Sequence, residues 1–325
     1  MNLGTTYLGI RFPNPFVIGA GPLSDDLDSV KQLEDAGASA IVLRSLYEEE
    51  ITGEQMAGFY NTESHNDSFA EATSYSPDPE AAFGPEEYLE HLHRIKVGVG
   101  IPVIGSLNGM TDGGWTSYAR LMQDAGASAI ELNLYHAASD PSMNAAEVEQ
   151  QMIRILREVK SNVQIPVAVK LSPLFTAFAN FGLQLDAAGA DGIVLFNRFY
   201  KADIDVLELE VVRTLELSDS SELQMRLRGI AVLSGRVKAS LAITGGVHTA
   251  LDVIKATMVG AHATQMVSAI LRNGPAHLIK LRKDIEAWMQ ENEWNSLDEM
   301  RGNMGFDRIP DPAAYERENF RMMLR

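Results

Sequence analysis

Met122-Gln-Asp-Ala-Gly-Ala-Ser-Ala-Ile-Glu-Leu132 repeats, almost residue for residue, the earlier stretch Leu33-Glu-Asp-Ala-Gly-Ala-Ser-Ala-Ile-Val-Leu43. Looser copies follow at Leu185-Asp-Ala-Ala-Gly-Ala-Asp-Gly-Ile-Val-Leu195 and at Thr257-Met-Val-Gly-Ala-His-Ala-Thr-Gln-Met266. Each copy contains the end of a helix, a glycine suited to the left-handed position after that end, and an apolar strand. An αβ unit that recurs along a chain is typical of a parallel sheet.

The segments between these copies predict four more strands. They are apolar runs over 16–20, 102–106, 166–170 and 240–244, which bring the predicted strands to eight. Eight strands alternating with eight helices fit a closed barrel better than an open doubly wound sheet. We therefore predict the α/β class and a (β/α)8 TIM barrel over residues 1–294, followed by a charged tail over 295–325 that packs on the barrel or on a second subunit. The helical patterns lie near 26–36, 86–97, 114–125, 145–160, 176–188, 224–236, 248–259 and 275–292.

The composition excludes several classes of function. The chain has 325 residues and a formal net charge of −17, which argues against nonspecific binding to nucleic acid or anionic membranes. It has no cysteine, so disulfides, thiolate catalysis and Cys-ligated clusters are excluded within the chain, and electrons that leave through such a cluster need a separate partner. The N-terminus lacks a signal-peptide pattern, and no apolar run reaches the ~20 residues of a membrane span. We predict a cytoplasmic enzyme.

Two connections are longer than the ordinary loops of a barrel. Residues 46–85 are acidic and polar, and residues 197–223 follow the sixth strand. Because both come after strands, both are expected over the C-terminal mouth of the barrel, where long loops act as lids or binding loops.

The chemistry of such a barrel is carried by the C-terminal ends of its strands. Three of these ends offer a cation, namely Arg44, Lys170 and Arg198. Charged side chains at the end of a barrel strand are costly unless they meet a ligand or an ion-pair partner. Two interpretations stay open from the sequence: an anionic ligand, or a cap in which each cation pairs with an acidic neighbour.

The apolar run Ile130-Glu-Leu-Asn-Leu134 is followed by Tyr135 and His136, at another strand end. Imidazole acts as an acid or a base near neutral pH, so His136 is a candidate for proton transfer. The alternative is a loop histidine that faces solvent.

Thr244-Gly245-Gly246 and Ser268 suit a phosphate. Barrels often bind phosphate after strands seven and eight, and glycine lets the backbone approach the anion closely. The alternative is a tight turn that needs glycine and holds no ligand.

Four motifs carry a resemblance to a known family. They are Thr5-Thr-Tyr-Leu-Gly-Ile-Arg-Phe-Pro-Asn-Pro15, Glu131-Leu-Asn-Leu134, Val169-Lys-Leu-Ser-Pro173 and Thr244-Gly-Gly-Val247. In this order they resemble motifs of the dihydroorotate dehydrogenase family, flavin enzymes with a (β/α)8 barrel and bound FMN. The resemblance is greatest to the cytoplasmic class 1 members and covers about residues 2–292.

The resemblance implies an FMN site. Ala20 and Gly21 are expected to contact the flavin through their backbone, and Lys170 to stabilise negative charge at the N1–O2 edge of the reduced ring. The side chains expected to bond flavin or substrate are Asn108, Asn133 and Asn197. The residues expected to hold the ribityl phosphate are Gly229, Gly245, Gly246 and Ser268.

The departures from the family fall mainly on the substrate side. His136 stands where the family has a Cys or Ser base, Arg44 replaces a Lys, and Arg198 replaces a Ser. Val267 stands where the family usually has Gly, so a bulkier side chain must find room beside the phosphate. We therefore expect a sister group of dihydroorotate dehydrogenases with an altered substrate site.

The resemblance and these departures together imply a mechanism. FMN would exchange a hydride through N5 with a small anionic, dihydropyrimidine-like substrate. His136 is the predicted base and Tyr135 the alternative donor, with Arg44 and Lys170 completing the catalytic set. The predicted substrate-binding residues are Arg44, Asn133, Asn197 and Arg198.

Two other functions stay open from the sequence. One is a non-flavin, phosphate-binding barrel, a lyase or isomerase in which Lys170 forms a Schiff base. The other is an accessory or degenerate barrel that binds flavin or phosphate without dehydrogenase activity. As partners we expect a small anionic substrate, a second copy of the chain as in class 1 relatives, and a separate electron-transfer protein, but neither nucleic acid nor membrane.

Overall fold

The computed structural model describes residues 1–53, 84–111, 113–135, 139–198, 202–213 and 216–316. Within them eight parallel strands close into a barrel, in which each strand pairs with the next and the last pairs with the first. The predicted (β/α)8 TIM barrel is thereby confirmed. The strands are β1 (Thr5–Tyr7), β2 (Ile10–Phe12), β3 (Phe16–Ile18), β4 (Ala40–Tyr47), β5 (Val103–Asn108), β6 (Ala129–Leu134), β7 (Val167–Leu171), β8 (Gly192–Leu195), β9 (Ala202–Asp205), β10 (Glu210–Arg213), β11 (Ser240–Thr244) and β12 (Ala263–Met266), of which β1–β2 and β9–β10 form antiparallel hairpins and the others the barrel.

Helices follow the barrel strands at the predicted places. They are α1 (Leu27–Asp35), α2 (Pro85–Gly98), α3 (Tyr118–Asp124), α4 (Ala145–Asn162), α5 (Phe178–Ala187), α6 (Leu223–Leu233), α7 (Ala250–Val259), α8 (Ser268–Asn273), α9 (Ala276–Glu291), α10 (Leu297–Met300) and α11 (Ala313–Glu316). The short helices α8, α10 and α11 were not predicted. None of the described helices combines the length and the apolar character needed to cross a bilayer.

The repeated sequence forms the same local structure in its two best copies. Gly37 and Gly126 have φ of 102° and 106°, in the left-handed region that other residues rarely adopt. The N–H of the residue after each glycine returns to the carbonyl of Leu33 at 2.9 Å or of Met122 at 3.0 Å. This closing of the helix end turns the chain directly into the next strand.

The first hairpin, β1–β2, closes the barrel at its N-terminal end. The N–H of Leu8, in the turn of the hairpin, donates to Oγ of Ser240 at the start of β11, at 3.1 Å. Tyr7 and Phe12 are buried against the interior of the barrel. Because the hairpin closes this end, the ligand site is expected at the opposite, C-terminal mouth. The interior side chains above the hairpin are small or β-branched: Val17, Ala40, Val42, Ile104, Ala129, Ala168, Val194, Ala242 and Ala263.

The described part of the tail packs on the barrel. Leu297 and Met300 of α10 are buried, and the N–H of Phe306 donates to the carbonyl of Ala231 on α6 at 3.0 Å. Nη2 of Arg301 donates to Oγ1 of Thr5 at 2.8 Å, which ties the tail to the first hairpin. Residues 317–325 lie outside the described residues, and the division of the chain at residue 294 stays a prediction.

The connection after β8 contains the second hairpin, β9–β10, which was not predicted. Ile204 and Val211 are opposite each other across this hairpin, and 66% and 64% of their surface is exposed. Leu207 and Leu209 in its turn are exposed as well. The hairpin therefore presents an apolar surface to solvent at one side of the molecule.

Candidate active site

The floor of the C-terminal mouth is a buried ion pair. Nζ of Lys170 on β7 donates to Oε1 of Glu131 on β6 at 3.0 Å and to Oε1 of Gln265 on β12 at 3.4 Å. The side-chain amide of Gln265 donates to the other carboxylate oxygen of Glu131. All three residues are at most 6% exposed. We call this group, Glu131, Lys170 and Gln265, the floor cluster.

Strand alternation places the floor cluster inside the barrel. On β6, Ala129 belongs to the interior of the barrel, whereas Ile130 and Leu132 pack in the layer between strands and helices. Successive residues of a strand point to opposite sides, so Glu131 faces inward with Ala129. Lys170 thus has an acidic neighbour, as one interpretation required. An ammonium has three N–H donors, and the two contacts above leave one for a ligand.

The predicted asparagines come together at the rim above this floor. Asn108 and Asn133 are neighbours in the register of β5 and β6. Nδ2 of Asn197, directly after β8, donates to Oδ1 of Asn133 at 2.9 Å. The side chain of Tyr47, at the end of β4, is hydrogen-bonded to Asn108, and burial followed by nearby Glu50 raises the pKa of the phenol. The rim is therefore a set of neutral amides and one neutral phenol.

A cavity of about 280 Å³ opens beside the floor cluster. Seven of the ten predicted cofactor residues line it, and Asn108, Asn133 and Gly229 do not. Gly229 lies on α6 against Phe196, whose ring a Cβ at this position would approach to 2.8 Å. The close packing against Phe196 therefore explains why position 229 is glycine, and this residue does not line the cavity. The predicted residues in the lining are Ala20, Gly21, Lys170, Asn197, Arg198, Gly245, Gly246 and Ser268.

The glycine turn after β11 forms one wall of the cavity. Gly245 and Gly246 have φ of 84° and 76°, and a Cβ on Gly246 would lie 2.6 Å from the backbone nitrogen of Leu223. Conformation and space therefore both require glycine here. The N–H of Gly246 donates to Oγ of Ser218 at 3.4 Å, and the N–H of Ser218 donates to Oγ of Ser268 at 3.2 Å.

Positive charge predominates around this wall. Arg198 and Arg226 line the cavity together with one carboxylate, that of Glu222. His248 lies beside the turn, and burial together with the charge of Arg272 lowers the pKa of its imidazole. The wall can therefore accept an anion.

Val267 finds its room against two small residues. A Cβ on Gly19 would lie 3.1 Å from Cγ2 of Val267, and one on Gly21 would lie 3.2 Å from Cγ1. The glycines of the sequence Gly19-Ala20-Gly21 therefore receive the side chain of Val267. The bulk at position 267 is accommodated without displacing the glycine turn.

A family model matches the part of the chain that contains all of these strand ends. The model described as dihydroorotate dehydrogenase matches residues 2–289. The chain belongs to the dihydroorotate dehydrogenase family. This confirms the predicted resemblance and the prediction of a dihydroorotate dehydrogenase-like oxidoreductase. Enzymes of this family are flavoproteins, which supports a flavin cofactor.

Individual dihydroorotate dehydrogenases are similar to this chain, two of them along nearly their whole length. The dihydroorotate dehydrogenase B (NAD(+)), catalytic subunit, of Thermoplasma volcanium is 27% identical over 313 residues, which cover 93% of this chain and 98% of the relative. Its namesake from Methanothermobacter thermautotrophicus is 26% identical over 313 residues, covering 92% and 97%. A putative dihydroorotate dehydrogenase A (fumarate) of Aeropyrum pernix is 29% identical over 209 residues, covering 62% and 67%.

The residues that depart from the dihydroorotate dehydrogenase motifs do not all line the cavity. The guanidinium of Arg44 makes a two-pronged ion pair with Asp25 and does not line the cavity. Tyr135 follows β6 at the mouth and is partly buried. His136 lies outside the described residues, as does the stretch 54–83 of the predicted lid. The roles of Arg44, Tyr135 and His136 stay predictions.

Several residues of the site had no predicted role. Glu131 and Gln265 complete the floor cluster, Arg226 lines the glycine wall, and Glu48 holds the loop after β5. Oε1 of Glu48 accepts the hydroxyl of Thr111 at 2.6 Å, and Oε2 accepts the N–H of Thr111 at 3.0 Å. For Glu131 the signal was present, because a carboxylate within an apolar strand must find a partner.

Proposed function

We propose that this chain is an FMN-dependent oxidoreductase that exchanges a hydride with a small anionic, dihydropyrimidine-like substrate. The observation that carries the proposal is the cavity itself, in which a buried lysine lies opposite a glycine turn flanked by two arginines. A concave, partly apolar site with a few convergent polar groups is the usual form of a small-molecule site.

The lining fits the parts of FMN. The turn at Gly245 and Gly246, with arginine beside it, suits the phosphate, because backbone and guanidinium both offer donors to an anion. Ala20 and Gly21 line the cavity beside Val267, and their small size leaves their backbone accessible to a ring. Lys170 offers a charged donor to the polar edge of that ring.

The residues of the chain divide the work of the proposed reaction. Bound here, FMN would supply the hydride chemistry that a CH–CH oxidoreductase needs. Lys170 holds positive charge at the floor, where it stabilises negative charge placed against it. Asn133 and Asn197 keep each other oriented by their hydrogen bond and present their remaining amide groups at the mouth. Arg198 can grip a carboxylate with two parallel hydrogen bonds.

We propose His136 as the base that moves the second proton, with Tyr135 as the alternative. In the sequence, His136 comes two positions after the end of β6 and three positions after Asn133. The variant His136→Ala is expected to slow the reaction with substrate by at least ~100-fold while the flavin spectrum stays unchanged. Full turnover in this variant would remove His136 from the mechanism and leave Tyr135→Phe as the next variant to measure.

A Schiff-base function for Lys170 has less support. Its ammonium is bonded to a buried carboxylate 3.0 Å away, the setting of a charged side chain rather than of an amine nucleophile. Borohydride treatment in the presence of carbonyl compounds tests this alternative directly. It is expected to add no mass to the chain.

The proposed reaction is tested by anaerobic reduction of the flavoprotein. Dihydroorotate and related anionic dihydropyrimidines are added one at a time, with uncharged dihydrouracil for comparison, while the absorbance of the flavin near 450 nm is followed. At least one of the anionic compounds is expected to bleach the flavin. A flavoprotein that dithionite bleaches but none of these compounds does would contradict the proposed substrate class and favour an accessory role.

We also propose a second copy and an electron-transfer partner. The relatives from Thermoplasma and Methanothermobacter are named as catalytic subunits, which supports a separate subunit for this chain, and the absence of cysteine leaves any cluster to that subunit. Light scattering of the purified chain is expected to give twice the mass of 35.6 kDa. A mass of one chain at micromolar concentration would contradict the homodimer.

A further inference from the structure

Arg226 is a cation buried in the wall of the cavity. It lies on α6, is 5% exposed, and reaches between the ends of β8 and β11. Its Nε donates to the carbonyl of Thr244 at 2.5 Å, and its Nη2 to the carbonyl of Phe196 at 3.4 Å. Its Nη1 donates to the carbonyl of Glu222 at 2.6 Å. A guanidinium has five N–H donors, so these three bonds leave two.

The charge of Arg226 is incompletely balanced. The carboxylate of Glu222 is 3.6 Å from Nη2, and Arg198 lines the same cavity. Among the described residues the guanidinium of Arg198 has neither a hydrogen bond nor an ion pair. Burial lowers the pKa of Arg226, Glu222 raises it, and Arg198 lowers it again. Two guanidiniums therefore line the cavity, where the described residues offer the single carboxylate of Glu222, and a bound anion would stabilise this arrangement.

The position of the guanidinium directs this charge to the glycine turn. A Cβ on Gly245 would lie 2.8 Å from Nη2 of Arg226, so the guanidinium packs directly against the turn. The N–H of Gly246 and the hydroxyl of Ser268 face the same wall. A backbone N–H, a hydroxyl and a buried cation thus lie at one part of the cavity, and together they offer the kinds of donor that bind a phosphate monoester.

We propose that Arg226 is the residue that selects a phosphorylated flavin over an unphosphorylated one. This rests on the proposed function, because it assigns the phosphate end of the same cofactor. Arg198 and the rim asparagines then remain available for the anionic substrate. The sequence hides Arg226 because it lies in the middle of a helix, 19 residues before the turn that it supports.

The test compares two flavins on the flavin-free protein. FMN and riboflavin are titrated separately, and the quenching of flavin fluorescence gives the two dissociation constants. Arg226→Gln is expected to weaken FMN by about 10- to 100-fold, the usual effect of losing a charged hydrogen-bond donor, and riboflavin by less than about 3-fold. Arg226→Lys, which keeps the charge without the fork, is expected to lie between wild type and Arg226→Gln.

Two further variants separate charge from packing. Arg228→Gln is the matched control, because Arg228 lies on the same helix but bonds the carbonyl of Tyr315 outside the cavity, and it is expected to change neither constant. Glu222→Gln removes the one carboxylate near Arg226 and is expected to tighten FMN but not riboflavin. If Arg226→Gln weakens both flavins equally, the arginine only supports the wall and the proposal is overturned. An unchanged constant for FMN overturns it as well.

Inorganic phosphate distinguishes this proposal from the proposed function. Phosphate is expected to raise the thermal midpoint of the flavin-free wild type and not that of Arg226→Gln. A wild type that responds to phosphate but binds neither flavin would end the FMN-dependent function and retain the phosphate site. A wild type that binds FMN no better than riboflavin would end the phosphate selection and retain the flavin function.

Discussion

In the floor cluster, the carboxylate of Glu131 partly balances the positive charge that Lys170 presents to the cavity. Glu131 is bonded to Nζ of Lys170 and to the amide of Gln265, and all three residues are at most 6% exposed. Any negative charge that develops in the cavity therefore competes with Glu131 for the ammonium. The floor cluster therefore sets how strongly the ammonium of Lys170 can bind a negative charge, in addition to holding its side chain in place.

Removing that carboxylate should change the redox potential of the bound flavin. In Glu131→Gln the ammonium of Lys170 loses its counter-charge, so the reduced, anionic flavin is stabilised. We expect the midpoint potential to rise by ~30 mV or more, about 1.4 kcal/mol for two electrons. Spectroelectrochemical titration measures it, and Lys170→Met should move it the other way. An equal potential in Glu131→Gln and wild type would contradict this role.

The same variant should unfold more easily. Breaking a buried ion pair by removing one partner costs ~3–5 kcal/mol, because the other charge stays buried without compensation. Urea unfolding of the flavin-free protein measures the loss. The double variant Glu131→Gln with Lys170→Met should recover part of it, and a double variant as unstable as the sum of both single variants would argue against the pair.

Val267 and Gly21 should behave as one unit. The φ of Gly21, 163°, is extended and open to any residue, so only space demands glycine there. A methyl group at position 21 would lie 3.2 Å from Cγ1 of Val267, and Gly21→Ala should cost ~1–2 kcal/mol of unfolding free energy. Adding Val267→Ala should recover most of this loss. Additive effects in the double-mutant cycle would show that the two residues do not compete for space.

Single residues show where sequence reasoning stops. Lys170 and Asn133 could be predicted as site residues because they lie near strand ends in recognisable motifs, and Asn197 because it follows a predicted strand. Glu131 and Gln265 could not be predicted as partners, because they are 134 positions apart and the sequence does not show that β6 and β12 face one barrel interior. Arg226 carried no signal, since a lone arginine in a helix is usually at the surface.

Among the elements, the junction between the tail and the barrel contains a partly buried histidine, His262. His262 precedes β12, and its Nδ1 accepts the N–H of Leu241 at 3.1 Å. Arg301 of the tail lies close by and donates to the carbonyl of Ala261. Burial first, and then Arg301, lowers the pKa of His262 to about 4, while Leu241 and Asp298 oppose this.

This lowered pKa predicts acid sensitivity. The folded state prefers the neutral imidazole, so its contribution to stability is complete above the unfolded pKa of ~6.5. It is lost as the pH falls from there towards about 4, by about 3 kcal/mol in all. Urea unfolding at pH 7 and pH 5 should show the loss, and His262→Asn should reduce it. The exposed His93→Asn is the control, and an equal acid loss in His262→Asn and wild type would contradict the assignment.

Element prediction succeeded where a pattern repeated and failed where elements were short. The αβ copies gave helices and barrel strands close to their observed bounds, because each copy carries its own helix-ending glycine. The hairpins β1–β2 and β9–β10 have strands of three or four residues, too short for alternation to be recognised.

At the scale of the whole molecule, one end of the barrel is closed and the other carries the chemistry. The first hairpin and the tail seal the N-terminal end, and the motifs of the dihydroorotate dehydrogenase family lie around the C-terminal mouth. The alternation of strands and helices predicted this division before any contact was known, since barrels place their sites at the C-terminal face. The substrate side was less predictable, because its residues depart from the family.

The central claim is that this mouth holds FMN, and the flavin content of the purified chain tests it most directly. The protein is purified, its absorbance spectrum is recorded, and the flavin released by denaturation is identified and counted by chromatography. The account predicts a yellow protein, or one that becomes yellow with added FMN, with one FMN per chain, and much less flavin bound by Arg226→Gln. A colourless protein that refuses added FMN would contradict it.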